Sequence, residues 1–451
     1  MDYKDKKVLV IGMAKSGISS AALLCKLGAD VTIYDVKKRE DLPAELLHEL
    51  DGHSYHDMLG QDPTEIVSDM DILVLSPGVP LGLPFIRKAY ELEKRVIAEI
   101  ELGFAVSKAD FIAITGTNGK TTTTALTGEI FKNAGIPTHV LGNIGVPITQ
   151  EAMQTQPGDV VVAETAALQL DTIEAYRPRE SAILNITEDH LDRYGTMENY
   201  IAAKAKIFKN QTQEDYCVLN YDNGLVRGLE DQIRAGVVWF SALTIPPNGA
   251  YVADGIIRFS LDGEEIDIMP AQELRIPGRH NLENALAATA LACLYGIPAD
   301  VIANTLRTFP GVEHRIEFVR TVNGVTFIND SKGTNPDATL NAIRAMAAPT
   351  VLILGGYDKK SDFVPLYQAF TPMIKAVIVL GDTAGKLIDA AEECGYQNYI
   401  RATGFEDAVL KAYSIANEGD NVLLSPACAS WDMFQNFEER GRIFKEIVNG
   451  L

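Results

Sequence analysis

Ala113-Ile114-Thr115-Gly116-Thr117-Asn118-Gly119-Lys120-Thr121-Thr122 decides how this chain is read. Phe111 to Ile114 is an apolar run of the length of a buried strand. Two glycines, a lysine and a row of threonines follow, and Ala125, Leu126, Ile130 and Phe131 then begin a helical pattern. Strand, glycine loop and helix N-terminus together make a phosphate cradle. The glycines let backbone N–H groups approach an anion, and the helix dipole favours negative charge. Lys120 adds a full positive charge, and the Thr121 hydroxyl suits a magnesium ion. Ile114 stands where the usual G-x-x-x-x-G-K-[ST] pattern has its first glycine, so the match is partial. Turn chemistry alone would ask for a capping threonine but not for Gly-Lys-Thr.

Working outward, the chain is long enough for about three domains. It is 47% hydrophobic and 22% charged, as soluble globular proteins are. A net charge of −21, with no Lys/Arg cluster, excludes general nucleic-acid binding. Anionic substrates must then be held by a few local cations and backbone amides. Five scattered cysteines lack CxxC spacing and fit a reducing, cytoplasmic setting; Cys428 reads as a packed thiol. Neither a signal peptide nor a membrane-spanning run is expected.

A second glycine loop lies upstream. Lys7-Val8-Leu9-Val10-Ile11-Gly12 leads into Met13-Ala14-Lys15-Ser16-Gly17, a helical stretch, and the strand Val31–Tyr34 ending in Asp35. This is the outline of a Rossmann unit with Ala14 in place of the middle glycine, which favours some other phosphorylated ligand over a nicotinamide. Asp71–Leu75 is another strand, followed by Ser76-Pro77-Gly78, so Asp35, Lys37 and Ser76 are expected at one crevice. The first unit runs out near Arg95 to Glu101. Beyond the phosphate loop, strands are expected at Val160–Ala163, Ser181–Asn185, Cys217–Asn220 and Val237–Phe240, a hairpin turn at Asp262-Gly263, and a helix over Gly278–Leu294. A third unit opens near Gly311, with strands at Thr326–Asn329, Thr350–Leu354, Ala376–Leu380 and Asn421–Leu424 and a last helix over Asn436–Val448. Three polar loops follow its strands: Asn329 to Pro336, Gly355 to Lys360, and Ser425 to Trp431.

Glu164 ends a strand and can serve a hard Mg2+ ion. His190, beside Glu188 and Asp189 after the next strand, can bind metal or accept a proton.

These motifs are similar to those of the Mur ligase family across essentially the whole chain. The residues that carry the resemblance are Gly116 to Thr121, Gly142-Asn143-Ile144-Gly145, Asn185 to Arg193, Gly278 to Asn284, His314-Arg315, Asn329 to Asn335, and Ser425 to Ser430. The last two point to the family's D-glutamate-adding branch. The resemblance implies three α/β domains: a Rossmann-like UDP-binding domain at residues 1–98, a central P-loop-type ATPase domain with a mainly parallel sheet at 99–311, and a Rossmann-like amino-acid-binding domain at 312–451. It implies a cytoplasmic monomer that uses ATP and Mg2+ to join D-glutamate to UDP-N-acetylmuramoyl-L-alanine through an acyl phosphate. Sister ligases that add another amino acid or extend folate, a nicotinamide-dependent oxidoreductase, and a non-catalytic nucleotide sensor are the alternatives.

By position, Gly116, Thr117, Asn118, Gly119, Lys120, Thr121, Thr122, Asn281, Asn284, Arg315 and Asp330 would hold ATP. Thr121, Glu164, His190 and a carbamylated Lys204 would hold Mg2+, with Lys120, His190 and Lys204 catalytic. Lys15, Ser16, Asp35, Lys37, Ser76 and Asn143 would hold the UDP substrate; Lys332, Thr334, Lys359, Ser430 and Phe437 would hold D-glutamate. One departure stands out. The family reads x-Ser-Ser-x-Gln-Leu after the strand-end glutamate, whereas here it is Thr165-Ala166-Ala167-Leu168-Gln169-Leu170. Loss of a neutral hydrogen bond there would weaken binding by about 0.5–1.5 kcal/mol rather than abolish it.

Overall fold

Strand alternation shows how the sheets are buried. In Lys7–Ile11, Val8 and Val10 enter one hydrophobic core while Leu9 and Ile11 enter another. A strand apolar on both faces belongs inside a parallel sheet with helices on each side. The computed structural model describes residues 2–451 apart from Ile144 and Lys359, and leaves aside the side chains of Ala44, Glu45 and Asp192. It contains three sheets, of five, nine and six strands.

The chain divides into two compact units. The first runs through Leu274 and adds Glu283–Thr308; the second comprises Arg275–Leu282 and Phe309–Leu451. The first unit holds two sheets. Its five-stranded sheet is all parallel, in the order His56–Asp57, Asp30–Tyr34, Lys7–Ile11, Ile72–Leu75, Arg95–Ala98. The order of the first three strands reverses at Lys7–Ile11, and ligands of open α/β sheets bind at such a switch point. In the nine-stranded sheet, Asp110–Thr115 lies between Val160–Glu164 and Glu180–Ile183, all parallel. Parallel strands also occur at Thr138–Gly142, Tyr216–Asn220 and Gly236–Ser241. The far end is an antiparallel meander of Gly249–Ala253, Ile256–Leu261 and Glu264–Pro270. Its second turn is Asp262-Gly263, both with positive φ (53° and 85°), as a tight right-twisting hairpin requires.

In the second unit six strands run in the order Glu317–Val322, Val325–Asn329, Asn421–Leu424, Thr350–Gly355, Ile374–Leu380, Tyr399–Arg401. Val325–Asn329, Asn421–Leu424 and Thr350–Gly355 are parallel neighbours, so the three polar loops leave one end of one sheet. Val351 and Ile353 face one core, Leu352 and Leu354 the other.

Five edge strands are not expected from the sequence: His56–Asp57, Arg95–Ala98, Thr138–Gly142, Glu317–Val322 and Tyr399–Arg401. Each lies at a sheet edge. An edge strand needs fewer apolar residues, because one flank carries no neighbour. The strand expected at Ser181–Asn185 is Glu180–Ile183, and Asn185 belongs to the loop beyond it. The two helices begin one residue later than expected, at Arg279 and at Phe437, because Asn436 is an N-cap that accepts from the Glu439 amide at 2.8 Å.

Candidate active site

The phosphate loop is built as its glycines require. Gly119 has φ +84°, and a Cβ there would come within 2.3 Å of Asn284 Oδ1. The helix Lys120–Asn133 starts at once, with Gly119 as its N-cap. Asn185 braces the loop: its Oδ1 accepts from the Asn118 amide at 2.8 Å and its Nδ2 donates to the Asn118 carbonyl at 3.0 Å. Thr117 Oγ1 lies 3.3 Å from the Tyr200 hydroxyl. Asn284, from the helix Arg279–Tyr295, accepts from Thr123 Oγ1 at 3.2 Å. Gly116 to Thr122 and Asn284 are therefore one assembly in the first unit.

Two lysines converge on this loop. Lys120 Nζ donates to Gly116 O at 2.9 Å and to Thr117 O at 2.8 Å. Lys204 Nζ donates to the same Gly116 O at 2.8 Å and sits 4.5 Å over the Tyr200 ring. Lys204 is 2% exposed. Burial first, and then the neighbouring Lys120 charge, hold its pKa well below the usual lysine value. A buried lysine of this kind spends more time as a neutral, nucleophilic amine.

Glu164 pairs in register with Ile114, at the start of the phosphate loop, and is buried. Its Oε1 accepts from Asn143 Nδ2 at 3.1 Å, and its carbonyl from the Asn143 amide at 2.8 Å. Gly142 permits this contact, since a Cβ there would meet Glu164 O at 2.3 Å. His190 is exposed and has φ +54°, a left-handed turn that bends the chain into the short helix Leu191–Tyr194. Its Nε2 is 3.8 Å from Asp189 Oδ2. Oxygen donors from Thr121 and Glu164 suit a hard Mg2+ ion, which takes few protein ligands and fills its shell with phosphate and water. Ala166 precedes the helical turn Ala167–Leu170, and its amide donates to Gln169 Oε1 at 2.9 Å. The turn thus forms without the serine hydroxyls.

In the five-stranded sheet, Asp35 accepts from the Met13 amide at 2.7 Å and the Lys37 amide at 3.0 Å. Ser76 Oγ donates to Gly12 O at 2.7 Å. Asp35 and Ser76 thus meet at the first glycine loop. Lys15 and Lys37 are exposed there, and Ser16 is half-buried at the helix start.

The second unit gathers a separate set. Asp330 is fully buried, accepting from Ser425 Oγ at 2.7 Å and the Ile316 amide at 3.2 Å. Arg315 Nη1 stands 3.9 Å from its Oδ1. Burial lifts the Asp330 pKa to about 6 against the pull of Arg315. Asn281 is in this unit, with Nδ2 donating to Pro277 O at 2.7 Å. Lys332 Nζ lies 5.4 Å from the Phe437 ring, and the Thr334 amide donates to Lys332 O at 2.8 Å. Ser430 is buried at the head of the turn into Phe434. Lys359 lies outside the described residues. Asn335 is an N-cap, accepting from the Ala338 amide at 2.7 Å.

Two residues were missed by sequence reasoning: Asn185 and Arg440. Arg440 is 1% exposed. Its guanidinium donates to Ser331 Oγ at 2.9 Å, Ser331 O at 2.6 Å and Cys428 O at 3.1 Å. It ties two of the three polar loops together. Its spacing with the buried Phe444 and Val448, an arginine on the apolar face of a helix, was the available signal.

Three family descriptions match in chain order: "Mur ligase MurD-like, N-terminal domain" at residues 6–98, "Mur ligase middle domain" at 114–292, and "Mur ligase, glutamate ligase domain" at 314–428. The chain is 50% identical over 453 residues, all of both chains, to the UDP-N-acetylmuramoylalanine--D-glutamate ligase of Thermoanaerobacter pseudethanolicus. The chain belongs to the Mur ligase family. The Clostridioides difficile protein of the same name is 47% identical over 455 residues, again covering 100% of both. Solved Mur ligase folds align along the whole chain. A pseudomurein peptide ligase from Methanothermus fervidus has TM-score 0.62 at 21% identity, covering 99% of both chains. The UDP-N-acetylmuramate-alanine ligase of Thermotoga maritima has TM-score 0.61 at 21% identity, with the same coverage. At these identities the likeness is one of fold. Among the described residues of this Mur ligase, no helix is long and apolar enough to cross a membrane.

Proposed function

We infer that this chain is a ligase that uses ATP to add D-glutamate to UDP-N-acetylmuramoyl-L-alanine, a step of peptidoglycan precursor synthesis. The observation that carries this reading is the end-to-end 50% identity to relatives bearing the D-glutamate ligase name. The phosphate loop supports it independently: the amino groups of Lys120 and Lys204 share the Gly116 carbonyl at a helix N-terminus, where anions are favoured.

The reaction joins two groups that repel. An L-alanyl carboxylate oxygen bonds to the γ-phosphorus of ATP as the P–O bond to ADP breaks, giving an acyl phosphate. The D-glutamate amine then bonds to the acyl carbon, phosphate leaves with its oxygen, and the nitrogen loses a proton to a base. Lys120 exchanges its loop carbonyls for phosphate oxygens. Asn118 and Asn284 keep that loop in shape. Thr121, Glu164, His190 and a Lys204 carbamate would hold Mg2+, whose charge would let phosphate and carboxylate oxygens approach each other. The neutral Lys204 amine can add to CO2, forming an N–C bond and releasing a proton, which places an anion beside Lys120.

Lys15, Ser16, Asp35, Lys37 and Ser76 are assigned to the UDP moiety, and Asn143 to the peptide stem. In the second unit Asn281, Arg315 and Asp330 are assigned to the nucleotide, and Lys332, Thr334, Lys359, Ser430 and Phe437 to D-glutamate. We assign the domains to residues 1–98, 99–311 and 312–451, and the protein to the cytoplasm as a monomer. The deciding assay follows ADP release with and without each substrate, comparing D- with L-glutamate. Release that requires both UDP-N-acetylmuramoyl-L-alanine and D-glutamate is expected; hydrolysis indifferent to them would overturn the reading.

A further inference from the structure

The short helix Leu191–Tyr194 carries an arginine that the assigned site leaves unused. Arg193 is half-buried, and its Nη2 donates to the Val79 carbonyl at 3.0 Å, across 114 residues of sequence. Val79 belongs to the loop after Ile72–Leu75, at the C-terminal end of the five-stranded sheet. Its amide donates to Ser76 O at 3.1 Å, and a Cβ on Gly12 would lie 3.1 Å from Val79 Cγ2. Arg193 therefore stands against the loop that packs on the first glycine turn. Three residues before it comes His190, on the nine-stranded sheet's side of the unit.

The chain has 61 acidic and 40 basic residues, and several of its arginines pair with carboxylates. Arg39, Arg95, Arg177, Arg179, Arg258 and Arg307 all do. Among the described residues no carboxylate pairs with Arg193. Tyr194 and Lys206, not Arg193, engage the nearby Asp171. A half-buried guanidinium without a counter-charge is costly unless an anion arrives, and its planar fork matches phosphate oxygens. One N–H is spent on Val79, which fixes the plane and leaves the others available. Meanwhile the first glycine loop carries its own carboxylate: Asp35 takes the Met13 amide. Lys15 and Lys37 are exposed at that loop, and Arg193 adds a half-buried cation held against the Val79 loop.

We propose that Arg193 binds the diphosphate of the nucleotide-sugar substrate, reaching it from the nine-stranded sheet's side while the Val79 carbonyl sets its orientation. The assignment rests on the functional reading above. It is tested on the full-length protein by calorimetric titration of UDP-N-acetylmuramoyl-L-alanine, UDP and uridine into wild type, Arg193→Gln and Arg193→Lys. Gln keeps an N–H for Val79 but loses the charge. Arg193→Gln is expected to weaken the sugar nucleotide and UDP roughly tenfold to a hundredfold, the range of a charged hydrogen bond. Uridine affinity and the KM for ATP should not move, and Arg193→Lys should recover part of the loss. The salt dependence of UDP binding should also flatten in Arg193→Gln. Unchanged UDP affinity in a folded Arg193→Gln protein would reduce Arg193 to a strut and overturn the proposal. Loss of the sugar nucleotide alone would move the contact to a carboxylate, which also overturns it. If Arg193→Gln does not fold, Arg193→Lys decides by the same UDP-to-uridine ratio. Wild type that binds no sugar nucleotide would fail the functional reading itself.

Discussion

Two glycine loops in the first unit share a backbone plan and differ in charge. Both follow a parallel strand, Lys7–Ile11 or Asp110–Thr115, and both open a helix, Lys15–Lys26 or Lys120–Asn133. Both use positive-φ glycines, Gly12 at +89° and Gly119 at +84°. The first is closed by an acid: Asp35, 22 residues on, accepts the Met13 amide. The second is crowded by lysines: Lys120 and Lys204 share the Gly116 carbonyl, the latter from 88 residues away. The turn makes amides available; side chains brought from other segments decide which charge the turn accepts.

The largest effect expected from breaking this contrast is at Lys120. Lys120→Ala removes the cation assigned to the transferred phosphate and should lower kcat by about a thousandfold, on the scale of a lost transition-state donor. A loss under tenfold in single-turnover ligation would refute a direct role. Lys204→Ala should follow at about a hundredfold, with partial recovery in added formate or acetate. Retained wild-type turnover would take Lys204 out of the site.

Glu99 tests how the two regions are joined. It is buried and accepts at 2.8 Å from the Thr149 amide and at 2.9 Å from its hydroxyl. That hydroxyl also lies 2.9 Å from Ser19 Oγ, on the helix of the first loop. Burial outweighs these bonds and lifts the Glu99 pKa from 4.5 to about 7. A raised carboxyl pKa means the unfolded chain releases its proton first. This group therefore costs stability progressively from about pH 4.5 to 7, and the full cost, on the order of 3 kcal/mol, applies above pH 7. Glu99→Gln should gain stability over wild type at pH 8 relative to pH 5. Parallel urea midpoints at both pH values would sink the idea.

Asp35→Asn should disturb only the first loop. An approximately tenfold rise in KM for the sugar nucleotide, with the ATP KM unchanged, is expected from one weakened charged hydrogen bond. Equal shifts in both would show that the loops are not independent. The smallest change is expected from Ala166→Ser with Ala167→Ser. The turn already forms through Gln169, so restored hydroxyls should improve kcat/KM a few-fold at most, within about 0.5–1.5 kcal/mol. No change would show that the alanines are neutral here.

How much was legible in advance follows from sequence distance. Gly116, Gly119 and Lys120 announce themselves because the loop, its strand and its helix are contiguous. Asn185 stands in the sequence as a strand end and the first residue of a family motif, but its bracing of Asn118, 67 residues away, shows only in space. Arg440 was hidden in an amphipathic helix and became visible only when its three hydrogen bonds to the Ser331 and Cys428 loops appeared. The edge strands Glu317–Val322 and Tyr399–Arg401 carry too little apolar pattern to be read without their neighbours.

Local chemistry by itself determined the alternation of strand, glycine loop and helix, the family resemblance and the cation at the phosphate loop. Each loop, and each motif that carries the resemblance, depends on residues close together in sequence, where backbone sterics and helix dipoles act. Only the tertiary structure decided that Lys204 is buried beside Lys120, that Asp35 closes the first loop, and that Arg193 stands at Val79 without a carboxylate partner among the described residues. Each depends on burial and on charges brought together by the chain's path, and electrostatic energy is set by distance in space rather than by position in sequence.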